Sequence, residues 1–462
     1  MYATYVIPTG KLENAMTEQN RRLNARPFVV GAVLLDEWGA SPSMGEAAGD
    51  EPSKTAHLKV IRTAEGIRPV LTSQSVGSWH LDALHTHFAW EPSKIAESVF
   101  EKSGKQISTQ ANPIRFPEDD GRGYNAMFAL ESKVGSEKKR LPLFTKRLSP
   151  FKLSSFQSVV PIRSQVEWGI LARGLDQVSE AAESELGEEL GKLKENMLWK
   201  AEVAATAYEG AFSLNVGDLG VFAVGPGRDM LSEDDLRQAL ALGDGEPFNE
   251  RRDQIAIGRF VGAKRGARIA LQPEVRLGRA QDLLLAVADL EGGAQVTQRL
   301  RNIAPGTALV AFMNGTHSLP GSVFAPATGE ECATAAAEIH INVDRIIRIL
   351  TDYSDRFVSD TVHNVFFGSY GTGSVANEEE FLEALQKEAA KSRPIFRVVT
   401  DSDPEPDSVD TDFPIRIRVC RGPRAAFKEA ARCVPADWFT TPQGSVVYDE
   451  SLAYGQELLE RL

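Results

Sequence analysis

Residues 138–163, KKRLPLFTKRLSPFKLSSFQSVVPIR, carry seven Lys/Arg and no acid, with Phe144, Phe151 and Phe156 interleaved among hydroxyls at Ser149, Ser154, Ser155 and Ser158. Ammonium and guanidinium groups neutralise phosphates, hydroxyls bond phosphate oxygens, and aromatic faces contact unstacked bases. The same composition also suits a solvated basic hairpin whose Phe residues face a core. Gly292-Gly293, ahead of Gln295, Arg299 and Arg301, could let a backbone approach a phosphate or could end a helix. Asp36-Glu37 follows an apolar run and could hold a metal or act as a base, or be a solvated strand end. His80, His85 and His87 are the one histidine cluster, and their spacing shares no helical face well, so structural histidines are expected.

Other chemistry is missing. The chain has no GxxxxGKS or GxxxxGKT, no GxSxG, no HExxH and no GxGxxG after a strand, so the usual phosphate cradle, nucleophile elbow and metal helix are not encoded. Cys332, Cys420 and Cys433 make neither a CxxC pair nor an even set, which fits a reducing cytoplasm. No catalytic residue, metal or cofactor is expected from these patterns.

The elements that must position these groups follow from periodicity. Phe28 to Leu35 is a continuous apolar, β-branched run between Pro27 and Asp36, the pattern of a buried strand. Residues 39–56 read as a long loop. His57–Ile61 and Arg68–Leu71 read as strands leading to a helix over about 75–88, while residues 101–140 give no clear element. The alternation over 143–162 predicts a projecting hairpin, and 180–203 a helix. Further strands are expected at 211–216, 221–224 and 307–312, and a helix near 279–290. Ile339, Val343, Ile346, Ile347 and Leu350 recur at helical spacing, and Asn377 with Glu380 forms a capping-box pattern at the start of another helix. Strands interrupted by helices and hairpins indicate an α+β fold.

The net charge of −13 argues against a nucleic-acid partner only until its distribution is read. Segments 178–196 and 401–412 together hold −10 of it, leaving the remainder near neutral around the basic stripe. The N-terminal stretch lacks a signal-peptide core and no apolar run approaches a bilayer span, so neither export nor a membrane anchor is predicted.

The order of the pieces carries a resemblance. AVLLDEWGASPSMGEAAG, RPVLTSQSVGSWHLDAL, KRLSPFKLSSFQSV, YEGAFSLNVGDLGVF and LLLAVADLEGGAQVTQRLRNIAPGTALVAF succeed one another between residues 28 and 315. In that order they resemble the DevR-type branch of the Cas-seven superfamily, the backbone subunits of type I CRISPR surveillance complexes (Cascade). The resemblance implies an RRM-like (ferredoxin-like) palm over 1–392, with a thumb hairpin at about 138–170 and finger-like insertions, one of them helical at about 176–205. A small C-terminal β/α extension over 393–462, outside the resemblance, is expected to be a partner-docking module.

A family member of this kind would be a non-catalytic, cytoplasmic subunit stacked in several copies on a CRISPR guide RNA, beside other Cascade subunits, presenting the guide to target DNA. The residues implied as guide contacts are Ser41, Ser43 and Lys54 in the first loop, and Ser73, Gln74 and Ser75 at a helix start. Lys146, Arg147, Ser149, Phe151, Lys152 and Arg163 belong to the thumb, and Gly292, Gly293 and Gln295 to a late glycine loop. Where the family pattern has an Arg after its SGQ, SQSVGSWH has none, leaving Trp79 or His80 for that contact. Two alternatives stand beside this reading: a guide-directed, metal-dependent RNA nuclease using Asp36, and an unrelated α+β protein whose basic hairpin docks a protein partner.

Overall fold

The computed structural model describes residues 27–36, 44–45, 55–93, 95–100, 104–109, 113, 116–134, 137–161, 165–170, 198–203, 206–223, 268–293, 303–315, 323–326, 339–371, 374–392, 394–403, 408–410, 412–442 and 445–447. The fold is α+β, organised on a ten-stranded mixed sheet.

In chain order the sheet strands are β1 (Pro27–Asp36), β2 (Val60–Thr63), β3 (Gly66–Leu71), β4 (Phe151–Leu153) and β5 (Phe156–Ser158). They continue as β6 (Ala207–Asn215), β7 (Ala304–Asn314), β8 (Val365–Ser369), β9 (Phe396–Val399) and β10 (Ile415–Arg421). The helices are α1 (Ser73–His87), α2 (Pro117–Arg122), α3 (Pro273–Ala288), α4 (Val343–Asp352), α5 (Glu378–Ala389) and α6 (Pro423–Cys433). Across the sheet the order is β9-β10-β8-β7-β1-β6-β5-β3-β2, with β4 also on β6.

β1 sits in the middle because its residues can be buried on both faces. It pairs antiparallel with β6 and with β7, so both of its edges are hydrogen-bonded. Val29, Val33 and Leu35 point to one core, with α1, α3 and α6; Phe28, Val30, Ala32 and Leu34 point to the other, with α4 and α5. A strand apolar on both pleat faces is stable only under such double cover. Taken in order, β1, α1, β4/β5, β6, α3 and β7 make a β-α-β-β-α-β succession. Their spatial order is fourth, first, third, second, with antiparallel neighbours and both helices on one core.

Several expectations change. The hairpin is not at 143–162: it is formed by Tyr124–Val134 and Glu137–Arg147, in register from Tyr124↔Arg147 to Val134↔Glu137. The basic stripe therefore divides, its first part on that hairpin and Phe151–Ser158 in the central sheet. The region 101–140, which gave no pattern, holds Gly104–Thr109, α2 and the first hairpin strand. Leu198–Val203, read as the end of a helix, is a strand against Gln165–Ile170; residues 171–197 lie outside the described residues. Asn377 makes no capping-box bond to the α5 backbone. Its side chain instead accepts from Ile341 N at 2.7 Å and donates to Ile341 O at 3.0 Å, holding a neighbouring strand.

The segment beyond 392 is continuous with the sheet. β10 pairs parallel with β8 and with β9, and Phe427 of α6 packs on Phe212 of β6 at 5.5 Å between ring centroids. Arg276 of α3 reaches across to the same segment, donating to the Phe439 carbonyl at 2.8 Å. A chain ending at Ser392 is expected to lose its cooperative thermal transition and bind a hydrophobic dye, because β8 and the α3 face lose their cover. A sharp, dye-free unfolding transition in that truncation would show instead a separable module.

Candidate nucleic-acid interface

α1 begins where Thr72, extended at φ −67° and ψ 150°, accepts from the Ser75 amide at 3.2 Å through its hydroxyl. This cap orients the first turn beside the central sheet, and Ser73 N donates to Ser155 Oγ at 3.3 Å. Val76, Gly77, His80, Ala83 and Leu84 form the buried face; Gln74 is exposed, and Ser73, Ser75 and Trp79 are half-buried. Trp79 lies over the glycine pair, and a Cβ on Gly292 would come 2.0 Å from its Cδ2. Gly292 is thus required by close packing, while Gly293, at φ +137°, needs glycine for its backbone. Neither caps α3, which ends at Ala288 with Asp289 as its cap; Gly292 instead bridges Ile303 at the entry to β7.

The structure therefore brings together three segments that are far apart in sequence: the α1 start, the 146–155 stretch and the glycine pair. Lys146 and Lys152, in the second of these segments, are exposed. Ser149 donates its hydroxyl to the Gly121 carbonyl at 3.1 Å and to the Phe151 carbonyl. Ser41, Ser43, Lys54, Arg163 and Gln295 lie outside the described residues.

Three expected surface contacts belong to the interior. His80 is wholly buried, its Nε2 at 3.0 Å from the Leu283 carbonyl, and burial, helped by the Arg122 charge, pulls its pKa down to about 3. It is therefore neutral and carries its proton on Nε2. Phe151 is also wholly buried and stacks on His80 at 4.5 Å and 13°, so it offers no face to a base. Phe156 is equally buried.

Arg147 is the third correction, being only 6% exposed. Its Nη2 pairs with Asp120 Oδ1 and donates to the Asp218 carbonyl at 2.9 Å, while its Nε donates to the Asp120 carbonyl at 3.1 Å. The guanidinium also lies 4.6 Å from the centre of the Phe222 ring. The other Asp120 oxygen accepts from Arg279 Nη1 at 2.6 Å. Sequence reading missed Asp120, Arg122 and Arg279. Pro117-Glu118-Asp119-Asp120 nonetheless has the helix-start signature of a first-position Pro followed by acids.

The remaining candidates separate in space. His85 bonds Glu118 at 2.7 Å, His87 is exposed, and no group of three or more His, Cys, Asp or Glu suited to a metal occurs among the described residues. Asp36, at the end of β1, accepts from Ser374 Oγ at 3.0 Å, and Ser374 is in turn 2.9 Å from the Thr307 hydroxyl, which donates to Ser369 Oγ at 3.0 Å. Burial raises the Asp36 pKa to about 7, against the lowering effect of the Ser374 bond. No helix among the described residues is long and apolar enough to cross a membrane.

No protein-family model and no curated protein matches the chain. Among solved structures, the chain is similar to one described as a CRISPR RNA-guided surveillance complex, pre-nicking, at 9% identity and a TM-score of 0.38. That match covers 88% of this chain and 99% of the other. A second, described as a CRISPR RNA-guided surveillance complex, is 11% identical with a TM-score of 0.31, covering 74% of this chain and 88% of the other. At these scores the likeness carries no argument, and function rests on the residues.

Two outcomes follow from the buried charges. Arg147→Gln should destabilise the chain by roughly 3–5 kcal/mol, because Asp120 loses one of its two guanidinium partners, whereas Lys146→Gln should change stability by less than about 0.5 kcal/mol. Urea unfolding checks this, and equal effects would place Arg147 at the surface. For Asp36, the folded pKa of about 7 exceeds the ordinary carboxylate value, so its contribution is unpenalised below about pH 4 and is lost as pH rises through 7. At about 1.4 kcal/mol per unit, the loss is on the order of 4 kcal/mol. Asp36→Asn should remove that decline, seen as a stability gain over wild type that grows from pH 5 to pH 8; a gain independent of pH would refute the buried-carboxylate assignment.

Proposed function

We propose that this protein is a non-catalytic, guide-RNA-binding backbone subunit of a type I CRISPR Cascade complex, oligomerising along the guide and presenting it to target DNA. The observation that carries the reading is that α1 meets both the Phe151–Ser155 stretch and Gly292 of the glycine pair. The family resemblance assigns guide contacts to these three segments independently, and nothing in their sequence separation requires them to meet. The β-α-β-β-α-β succession supports the RRM-like palm of that reading.

The mode of contact differs from an RRM that stacks bases on its sheet, because here both sheet faces are covered by helices and strands. Binding falls instead to the exposed Lys146 and Lys152, whose cations neutralise phosphates, and to the small residues at the α1 start, which admit the backbone. Such contacts position a strand without reading it, so specificity stays with base pairing. His80, Phe151 and Arg147 support these segments from beneath.

Co-expression with a guide RNA should yield elongated multimers that co-purify with nucleic acid. Lys146→Gln combined with Lys152→Gln should leave the fold intact, lower guide affinity at moderate salt for any spacer sequence, and flatten the slope of log affinity against log salt by about 1.4. A nucleic-acid-free monomer from the co-expression, or an unchanged salt slope in the folded double variant, would remove the basis for this function.

A further inference from the structure

The hydrogen bonding beneath α1 does not close. Asp120 is wholly buried, and each of its oxygens is taken, one by Arg147 and the other by Arg279. Arg122, at the end of the same short helix, is a third guanidinium, and it turns to α1 instead of to Asp120. Its Nη1 is buried with no hydrogen-bond partner. Burial depresses its pKa, and no carboxylate acts against that shift. Asp119, the neighbouring buried acid, receives the Ser93 hydroxyl at 2.9 Å, and Glu118 is engaged by His85 and the Ser93 amide.

The position of Arg122 is also built. Its Nη2 rests against Gly77 of α1, where a Cβ would stand only 2.1 Å away, so a glycine in the second turn is what lets the guanidinium lie along the helix backbone. The adjacent His80 is neutral, with Nε2 engaged by Leu283, and its Nδ1 is buried without a partner. A buried guanidinium nitrogen with an unmet donor is destabilising, and an acceptor placed beside it removes that penalty.

We infer that Arg122 is the anchor of a binding site for one phosphate-class oxyanion, located against α1 at Gly77. A planar guanidinium offers two parallel donors to such an oxyanion. The same chemistry is presented by a free phosphate or pyrophosphate and by a backbone phosphate of RNA. The second source deepens the guide-binding reading and rests on it; the first stands without it.

The test uses the full chain, wild type and Arg122→Gln, with Gly77→Ala as a second variant that displaces the guanidinium without altering charge. Thermal unfolding is measured in chloride and in pyrophosphate at equal ionic strength, and affinity for a single-stranded RNA by anisotropy. The site requires that pyrophosphate raise the wild-type melting temperature, and that both variants lose this rise. Arg122→Gln should also melt no lower than wild type in chloride, since it removes an unpaired buried charge. A purely structural arginine predicts the reverse, so a variant that melts lower or fails to fold in chloride overturns the inference, as does one keeping the full pyrophosphate shift.

The RNA arm separates the sources. A roughly tenfold affinity loss in Arg122→Gln, as for one charged hydrogen bond, assigns the site to a backbone phosphate. A pyrophosphate shift in a wild type that binds no RNA keeps the site, assigns it to a free anion, and removes the guide reading. RNA binding unchanged in Arg122→Gln, with no pyrophosphate shift in wild type, removes the site and leaves the guide reading standing.

Discussion

One carboxylate organises the helical side of the fold. Asp120 has no exposure and receives two guanidinium groups and the Gly220 amide, the last at 3.1 Å. Those donors belong to separate pieces of chain: the end of the hairpin, α3, and the turn between β6 and the strand that follows. An ionised carboxylate is tolerated in such a place only when its lone pairs are filled, so the four segments are fixed relative to one another wherever Asp120 is charged. The hairpin root, which places Lys146 at the surface, inherits its position from this arrangement. The exposed cation and its buried neighbour are two parts of one device.

A different solution is used where backbone carbonyls are the hydrogen-bond acceptors. Arg276 and Arg416 are each almost wholly buried and spend their donors on backbone carbonyls: Leu219 and Phe439 for Arg276, Thr361, Phe413 and Val358 for Arg416. Carbonyls at turns and strand ends need partners of their own. A single planar group with five donors satisfies several of them at once, which is why arginine and not lysine occupies these positions. Both arginines lock the C-terminal segment to the rest of the molecule.

What could be read in the sequence was what periodicity governs. β1 and β7 are long apolar runs, and α1 stands within two residues of the span its spacing suggests, while α3 begins six residues before its expected start and ends two before its expected end. The hairpin at Tyr124–Arg147 escaped because it alternates weakly and carries Pro142 within its second strand. The site was legible in its segments and not in its side chains. Lys146 and Arg147 are adjacent and equally basic, yet the two-residue pleat sends one to solvent and the other to Asp120. Only the distant acids in α2 distinguish them, and charge composition holds no record of that pairing. The boundary drawn at 392 failed to mark a separate sheet for a related reason: β10 joins β8 through backbone hydrogen bonds, which leave no trace in composition.

The central place of β1 also sets the timetable of synthesis. Its first partner, β6, begins about 170 residues after β1 ends, and β7 about 270 residues after. At roughly 5–20 residues per second, a ribosome exposes the most apolar strand of the chain for on the order of ten to thirty seconds before either edge can be paired. Among the described residues β1 has no other strand partner, and loop closure must precede the contacts that reward it. Slowing translation within residues 37–206 therefore lengthens that exposure, whereas slowing it after residue 314 does not.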